Sequence, residues 1–147
     1  RTEAMLYATD RAHHVDTVVR PALARGAVVL SDRYLDSSVA YQGAGRELGA
    51  EQVEALSLWA TEGLLPHLTV LLDLDHEVGL ARLSDRSEAP DRLESAGAEL
   101  HARARAEFLR RAEDQPDRWL VVDASAPVDA IAAHVRSRVA ALLRIEP

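Results

Sequence analysis

The sequence contains neither cysteine nor lysine, and each absence excludes a class of site. Without cysteine, the chain can form no disulfide framework and no thiolate metal site. All 17 basic residues are arginine. Because the phosphate-binding loop G-x-x-x-x-G-K-[ST] requires its lysine, these 147 residues contain no such loop.

Long apolar runs are also absent. None approaches the roughly 18 residues that suggest a membrane span, and nothing at the start of the chain resembles a signal peptide. The net charge of −7 is unlike that of a general nucleic-acid-binding surface, which carries a basic excess. A local arginine cluster could still hold a phosphate. We therefore expect a cytoplasmic protein that binds neither membranes nor nucleic acid.

The chain begins at Arg1, without a methionine, in what reads as the middle of a helix. Residues 2–25 carry apolar side chains at helical spacing, namely Met5, Ala8, Ala12, Val15, Val19 and Ala22. We expect Pro21 to kink or restart this helix and Gly26 to end it. The abrupt start predicts a fragment that lacks its N-terminal part.

Three short apolar segments are predicted as strands, at residues 27–31, 68–75 and 119–123. Helical patterns alternate with them, including residues 51–62, in which Trp59 is interpreted as a packing residue. This alternation predicts an α/β fold, a parallel sheet with helices on both faces, in a single domain over residues 1–147. Three strands make a thin sheet, so we expect one or more N-terminal strands to complete it.

Polar side chains follow the predicted strands, at the edge where open α/β folds bind ligands. Asp32 and Arg33 end the first strand and suit phosphate or metal chemistry, or else a salt bridge that caps the strand. Asp73 and Asp75 end the second and could hold a metal, although two carboxylates at this spacing are a weak signal. The arginine-rich residues 82–94 suit a lid over an anionic ligand or a solvated connection between helices.

Several motifs taken together resemble the thymidylate kinase (dTMP kinase) family. They are LYATDR (6–11), DRY (32–34), SSVAYQG (37–43), PHLT (66–69) with LD (72–73), DRLE (91–94) and VDAS (122–125). Each is weak alone, but they occur in the family's order and at its spacing over essentially the whole chain.

The resemblance implies the fold of P-loop nucleoside monophosphate kinases, with the N-terminal strand or strands and the P-loop missing from this chain. It implies transfer of the terminal phosphoryl group of ATP to dTMP, giving dTDP, with Mg2+ as cofactor. It also implies a homodimer. Because the family's P-loop is missing, we expect these 147 residues alone to be inactive.

For the dTMP pocket, the resemblance implies that Tyr7 stacks on thymine and that Arg11 donates to a thymine carbonyl. The residue types alone would make these two a core-edge aromatic and a solvated charge. Ser38 would face the thymine ring nitrogen. Tyr41 would lie under the sugar and leave no room for a ribose 2′-hydroxyl, and Gln42 would line the same pocket.

At the reaction centre, the resemblance implies that Arg33 contacts the dTMP phosphate and the migrating group. A guanidinium suits this role because it is a planar fork of donors that stays charged, and phosphoryl transfer depends mainly on positioning and charge neutralisation. Asp32 would hold Mg2+ through water.

For ATP, the resemblance places the catalytic arginine in a lid at about residues 84–92. Arg86 is our choice for it, and Arg92 is the second candidate. Arg82 would stack on adenine and face the loop of Ala124 and Ser125, whose backbone would border the base.

Two other functions stay open. A deoxynucleoside kinase of the P-loop class also places an arginine after an acidic residue at this strand, although SSVAYQG and VDAS favour the monophosphate kinase. A non-catalytic nucleotide-binding or dimerisation module would lack the P-loop altogether.

Overall fold

The computed structural model describes residues 1–84 and 97–145. Its contacts divide the chain into two compact units, Arg1–Leu65 and Pro66–Pro147, and each is described by itself. No helix within the described ranges is long and apolar enough to cross a membrane. The organisation as one domain stays a prediction.

The first unit is helical. Its α-helices are α1 (Thr2–His14), α2 (Arg20–Ala24), α3 (Leu35–Ser38) and α4 (Ala50–Ala60), and two π-helical segments, Val15–Val19 and Val39–Gly45, continue α1 and α3.

The predicted restart at Pro21 and stop at Gly26 are confirmed. The N–H of Arg20 bonds to the carbonyl of Val15, five residues back, which is the π-helical pattern. Pro21 then lies in the first turn of α2, the position in a helix at which proline is best tolerated. Gly26 ends the helix with a φ of +76°, a backbone conformation that glycine adopts without strain.

Two side chains predicted to pack are exposed instead. The buried stripe of the first helix consists of Ala4, Ala8, Val15 and Val19. Met5 follows Ala4 directly, so its side chain points about 100° away from that of Ala4 around the helix and is 53% exposed. Trp59 is 81% exposed. The helix α4 buries Ser57, and two residues further on the helix has turned by about 200°, which carries Trp59 to the opposite face.

One core cluster of the first unit consists of Leu35, Val39 and Val53. Gly43 allows the π-helical segment to approach the start of α4, since a Cβ there would lie 2.8 Å from the Cα of Ala50. Any side chain at residue 43 would therefore collide with backbone.

The second unit contains the sheet. Its elements are β1 (Thr69–Asp73), α5 (His76–Ser84), α6 (Ala98–Asp114), β2 (Trp119–Asp123) and α7 (Val128–Leu143). The two strands are parallel, in a register that pairs Thr69 with Trp119 and Asp73 with Asp123. Both α6 and α7 pack against β2. The predicted strands at residues 68–75 and 119–123 and their parallel arrangement are thus confirmed, the first with shorter bounds.

The strand predicted at residues 27–31 was wrong for the described part of the chain. These residues are irregular, and the sheet of the described residues has two strands. Val28 is 71% and Leu30 is 97% exposed. A strand needs a hydrogen-bonded neighbour and a covered apolar face, and the described residues give this segment neither.

Candidate functional site

Arg11 and Ser38, which the motifs assign to one pocket, lie in direct contact. Nη2 of Arg11 donates to the hydroxyl oxygen of Ser38 at 2.9 Å and to the carbonyl of Tyr34 at 3.4 Å. The guanidinium carbon also lies 5.5 Å from the ring centroid of Tyr34, within the range of a cation–π contact. Ser38 is 3% exposed, so this contact is made inside the unit.

One nitrogen of the Arg11 guanidinium lacks an acceptor among the described residues. This nitrogen, Nη1, is buried. Burial lowers the pKa of Arg11, while the Tyr34 hydroxyl, Asp10 and Asp36 act in the opposite direction. A buried, unpaired donor is costly unless an acceptor reaches it, so an acceptor that reached Nη1 would stabilise the guanidinium.

Tyr7 lies one turn before Arg11 on α1 and is 42% exposed. Residues four apart on a helix share a face. An exposed aromatic ring next to a cationic donor on one face is suited to a flat, polar ligand such as a nucleobase.

Arg33 and Tyr41 form a second pair. The guanidinium carbon of Arg33 lies 5.3 Å from the ring centroid of Tyr41. Arg33 has a φ of +64°, an unusual and strained conformation for a residue with a side chain, and such residues cluster at functional sites. The hydroxyl of Ser31 donates to the carbonyl of Arg33 at 2.8 Å and supports this turn.

Asp32 is exposed and forms no ion pair with Arg33, although both residues are described. The alternative reading of this pair as a strand-capping salt bridge is therefore wrong. The carboxylate of Asp32 and the guanidinium of Arg33 are therefore both exposed and do not neutralise each other.

Gln42, the last residue assigned to the pocket, is 2% exposed. Its Nε2 donates to Oε1 of Glu3 at 2.9 Å, and Nε of Arg46 donates to the same oxygen at 3.1 Å. The sequence reasoning missed Glu3 and Arg46. The spacing of eight residues between Glu3 and Arg11, which places both on one helix face, could have indicated Glu3.

In the second unit, the residues assigned to adenine also come together. Nη1 of Arg82 donates to the carbonyl of Ala124 at 2.9 Å, and the N–H of Ser125 donates to Oδ1 of Asp123 at 2.8 Å. The hydrogen bonds from Ser125 and, to a smaller extent, the charge of Arg82 lower the pKa of Asp123. The loop after β2 is thus closed on itself and tied to α5.

Both Asp73 and Asp75 form ion pairs with Arg105 of α6. Nε and Nη2 of Arg105 donate to the two carboxylate oxygens of Asp73 at 2.7 and 2.9 Å, and Nη1 donates to Asp75 at 3.4 Å. This bidentate hydrogen bonding lowers the pKa of Asp73. No group of three potential metal ligands occurs in residues 1–84 and 97–145. Arg105 is therefore the cation held by these carboxylates, and the hypothesis of a metal between them has no support.

Arg86 and Arg92, the two candidates for the catalytic arginine, lie outside the described residues. So does nearly all of the segment interpreted as a lid. Their assignments stay predictions.

Comparison with known proteins gives a consistent result. The family model described as thymidylate kinase matches residues 1–135. A thymidylate kinase of Leifsonia xyli is 64% identical over 138 residues, which are 94% of this chain and 65% of the relative. One from Clavibacter michiganensis is 62% identical over 97% of this chain and 68% of the relative, and one from Bifidobacterium longum is 50% identical over 93% and 65%. The chain spans about two thirds of the length of these relatives.

Proposed function

The chain belongs to the thymidylate kinase family, and from that premise we propose that the protein containing it transfers the terminal phosphoryl group of ATP to dTMP, giving dTDP. The described residues would supply most of the dTMP pocket and part of the ATP site. The observation that carries this proposal is the hydrogen bond between Arg11 and Ser38, which brings two residues assigned to the pocket into contact.

Thymine would complete the hydrogen bonding of Arg11. Its carbonyl oxygen would accept from Nη1, while Ser38 keeps Nη2 occupied and so fixes the plane of the guanidinium. Tyr7, exposed on the same helix face, would stack on the ring. A pyrimidine with a carbonyl in this position fits the site, because an amino group there would leave Nη1 unpaired.

Arg33 would bind the dTMP phosphate and, during transfer, the migrating phosphoryl group. The contact with Tyr41 and the left-handed backbone would hold its guanidinium in place before the substrate arrives. Positioning of this kind is the main contribution a protein makes to phosphoryl transfer. Tyr41 would in addition border the sugar.

Mg2+, when bound, would neutralise charge on the phosphates. It usually keeps several waters and takes one or two carboxylates. The exposed carboxylate of Asp32, which is not paired with Arg33, fits such a role through water. Adenine would lie against Arg82 and the backbone of Ala124 and Ser125.

A binding measurement tests the acceptor pocket. Isothermal titration of the 147-residue chain with dTMP should show saturable binding, and thymidine should bind more weakly because it lacks the phosphate that Arg33 would contact. Tighter binding of thymidine than of dTMP would favour the deoxynucleoside kinase. No binding of either ligand would contradict the pocket.

An assay of ADP production with ATP and dTMP tests the second part of the proposal. The 147 residues contain no lysine and no phosphate loop of the G-x-x-x-x-G-K-[ST] type, so we propose that they bind dTMP without turnover. A rate well above the blank would contradict this.

A homodimer is also proposed, and exposed Met5 and Leu6 on α1 support it. Light scattering should give about twice the chain mass of 16.1 kDa.

A further inference from the structure

Glu3 on α1 forms hydrogen bonds with one residue inside the π-helical segment Val39–Gly45 and with the residue that follows it. Its Oε1 accepts hydrogen bonds from Nε2 of Gln42 and from Nε of Arg46. The side chain of Glu3 is 23% exposed and that of Arg46 is 35% exposed, whereas Gln42 is 2% exposed. The contact therefore runs from a half-buried carboxylate on α1 to a fully buried amide.

A carboxylate can select one of the two orientations of a glutamine amide. The amide has a donor end, the NH2 group, and an acceptor end, Oε1, while an ionised carboxylate only accepts. Glu3 therefore holds the NH2 end of Gln42 and leaves Oε1 as the end free to meet another group. The bond is charge-assisted and so stronger than a bond between two neutral groups, and Arg46 balances the negative charge.

Glu3 and Arg11 hold the same segment at two points. They are eight residues apart on α1, slightly more than two turns, and so lie on one face. Arg11 bonds to Ser38, just before the π-helical segment Val39–Gly45, and Glu3 bonds within that segment and just after it. Ala4 and Ala8 are buried on the same helix, which packs against α4 and α3. Tyr41 lies between the two points of attachment.

We propose that Glu3 is a positioning residue of the dTMP pocket, which acts by fixing the orientation of the Gln42 amide. The proposal rests on the proposed function, because it takes Gln42 and Tyr41 as parts of that pocket. Glu3 contacts protein groups and would not touch the reacting atoms. Its effect should therefore appear in dTMP binding and should pass through Gln42.

The first experiment compares dTMP affinity in variants of the 147-residue chain by isothermal titration. Glu3→Ala should weaken binding by about tenfold, the size expected when a charge-assisted hydrogen bond is lost. Glu3→Gln should recover part of the loss, because its amide oxygen still accepts. Glu51→Ala is the matched control: Glu51 is also an acidic residue in the first turn of a helix, it is exposed, and its removal should leave the affinity unchanged.

A double-mutant cycle separates positioning from a general loss of structure. Gln42→Ala should weaken binding, and adding Glu3→Ala to it should have little further effect, because the group through which Glu3 acts is then gone. Effects that multiply independently would overturn the proposal. Melting temperatures monitor folding, and if Glu3→Ala unfolds, the cycle is run with the isosteric Glu3→Gln, for which we expect a loss of about threefold.

The outcomes distinguish this inference from the proposed function. If the unmodified chain binds dTMP and Glu3→Ala binds it equally well, Glu3 has no positioning role and the pocket stands. If the unmodified chain binds no dTMP, the proposed pocket fails and the role of Glu3 fails with it.

Discussion

The hydroxyl of Ser38 accepts a hydrogen bond from the guanidinium of Arg11 at 2.9 Å, across 27 residues of sequence. Ser38→Ala removes this acceptor and leaves Nη2 of Arg11 with only the longer hydrogen bond, of 3.4 Å, to the carbonyl of Tyr34. Chemical denaturation should show a loss of about 1 to 2 kcal/mol in the free energy of unfolding, and the affinity for dTMP should fall as the guanidinium loses its fixed plane.

Thr17→Ala provides a matched control for this variant. Its hydroxyl donates to the carbonyl of His13 in its own helix and is exposed. The change should stay within about 0.5 kcal/mol and leave dTMP binding intact. If the two variants lost the same free energy of unfolding and the same dTMP affinity, the contact between Arg11 and Ser38 would contribute no more than an exposed hydroxyl within a helix.

Gly43→Ala should destabilise the first unit. The new Cβ would lie 2.8 Å from the Cα of Ala50, so backbone has to move, and we expect a cost of about 1 to 3 kcal/mol. Gly79→Ala tests the same change inside α5, where the nearest atom is a side-chain carbon at 3.8 Å. There, alanine should be neutral or stabilise the chain by up to about 1 kcal/mol. Thermal unfolding of both variants should show a lower melting temperature for Gly43→Ala and an equal or higher one for Gly79→Ala.

The pair of Asp73 and Arg105 should make stability depend on pH. Hydrogen bonds from Arg105 lower the pKa of Asp73 below its ordinary value of 3.8. The stabilisation is therefore fully present above that value and is lost as the pH falls through the lowered pKa. Asp73→Asn should be less stable than the unmodified chain at pH 7, and the difference should shrink below about pH 4.

The exposed pair of Glu99 and Arg103, on the same helix as Arg105, is the control for this prediction. The side chain of Glu99 is 83% exposed, so Glu99→Gln should change the free energy of unfolding by less than about 1 kcal/mol at pH 7. Urea titrations at a series of pH values measure both variants. A difference for Asp73→Asn that persists unchanged at acid pH would contradict the role given to the carboxylate charge.

Tyr41 should matter through its ring rather than its hydroxyl. Tyr41→Phe keeps the surface under the Arg33 guanidinium and should bind dTMP nearly as well. Tyr41→Ala removes it, and dTMP affinity should fall by about threefold to tenfold. If the ring also excludes the ribose 2′-hydroxyl, Tyr41→Ala should bind the ribonucleotide analogue of dTMP almost as well as dTMP, and titration with both nucleotides measures this.

The two tryptophans should report on different environments. Trp59 is 81% exposed, whereas Trp119 is 5% exposed and lies 6.3 Å from the ring of Phe108. Acrylamide should therefore quench the fluorescence of Trp59 strongly and that of Trp119 weakly. Trp59→Phe and Trp119→Phe, measured separately, assign the two signals.

Short sequence patterns correctly predicted the helices and strands that depend mainly on residues close to one another in the chain. The apolar spacing of residues 2–25, the proline at residue 21 and the glycine at residue 26 indicated the first helices. The strands β1 and β2 were predicted as short apolar runs that end at aspartates, and they pair with each other. The segment at residues 27–31 has the same apolar character but is irregular, because a strand depends on a neighbour that its own sequence does not describe.

The candidate site was predicted in part for the same reason. The motifs indicated Arg11, Ser38 and Gln42, and the structure places Arg11 against Ser38. The partner of Gln42 was missed, since a glutamate in the first turn of a helix is ordinarily a solvated residue. Only the three-dimensional structure reveals that Oε1 of Glu3 lies 2.9 Å from the amide nitrogen of the buried Gln42.

The buried Gln42 also offers a spectroscopic probe. The sequence has no asparagine and three glutamines, at residues 42, 52 and 115, so an amide-region nitrogen NMR spectrum should contain only three side-chain NH2 pairs. Gln42 is 2% exposed and bonded to a carboxylate, and its protons should exchange slowly with water. That pair of resonances can be followed in an otherwise sparse region, and its movement during a titration would locate a bound nucleotide without any label on the ligand.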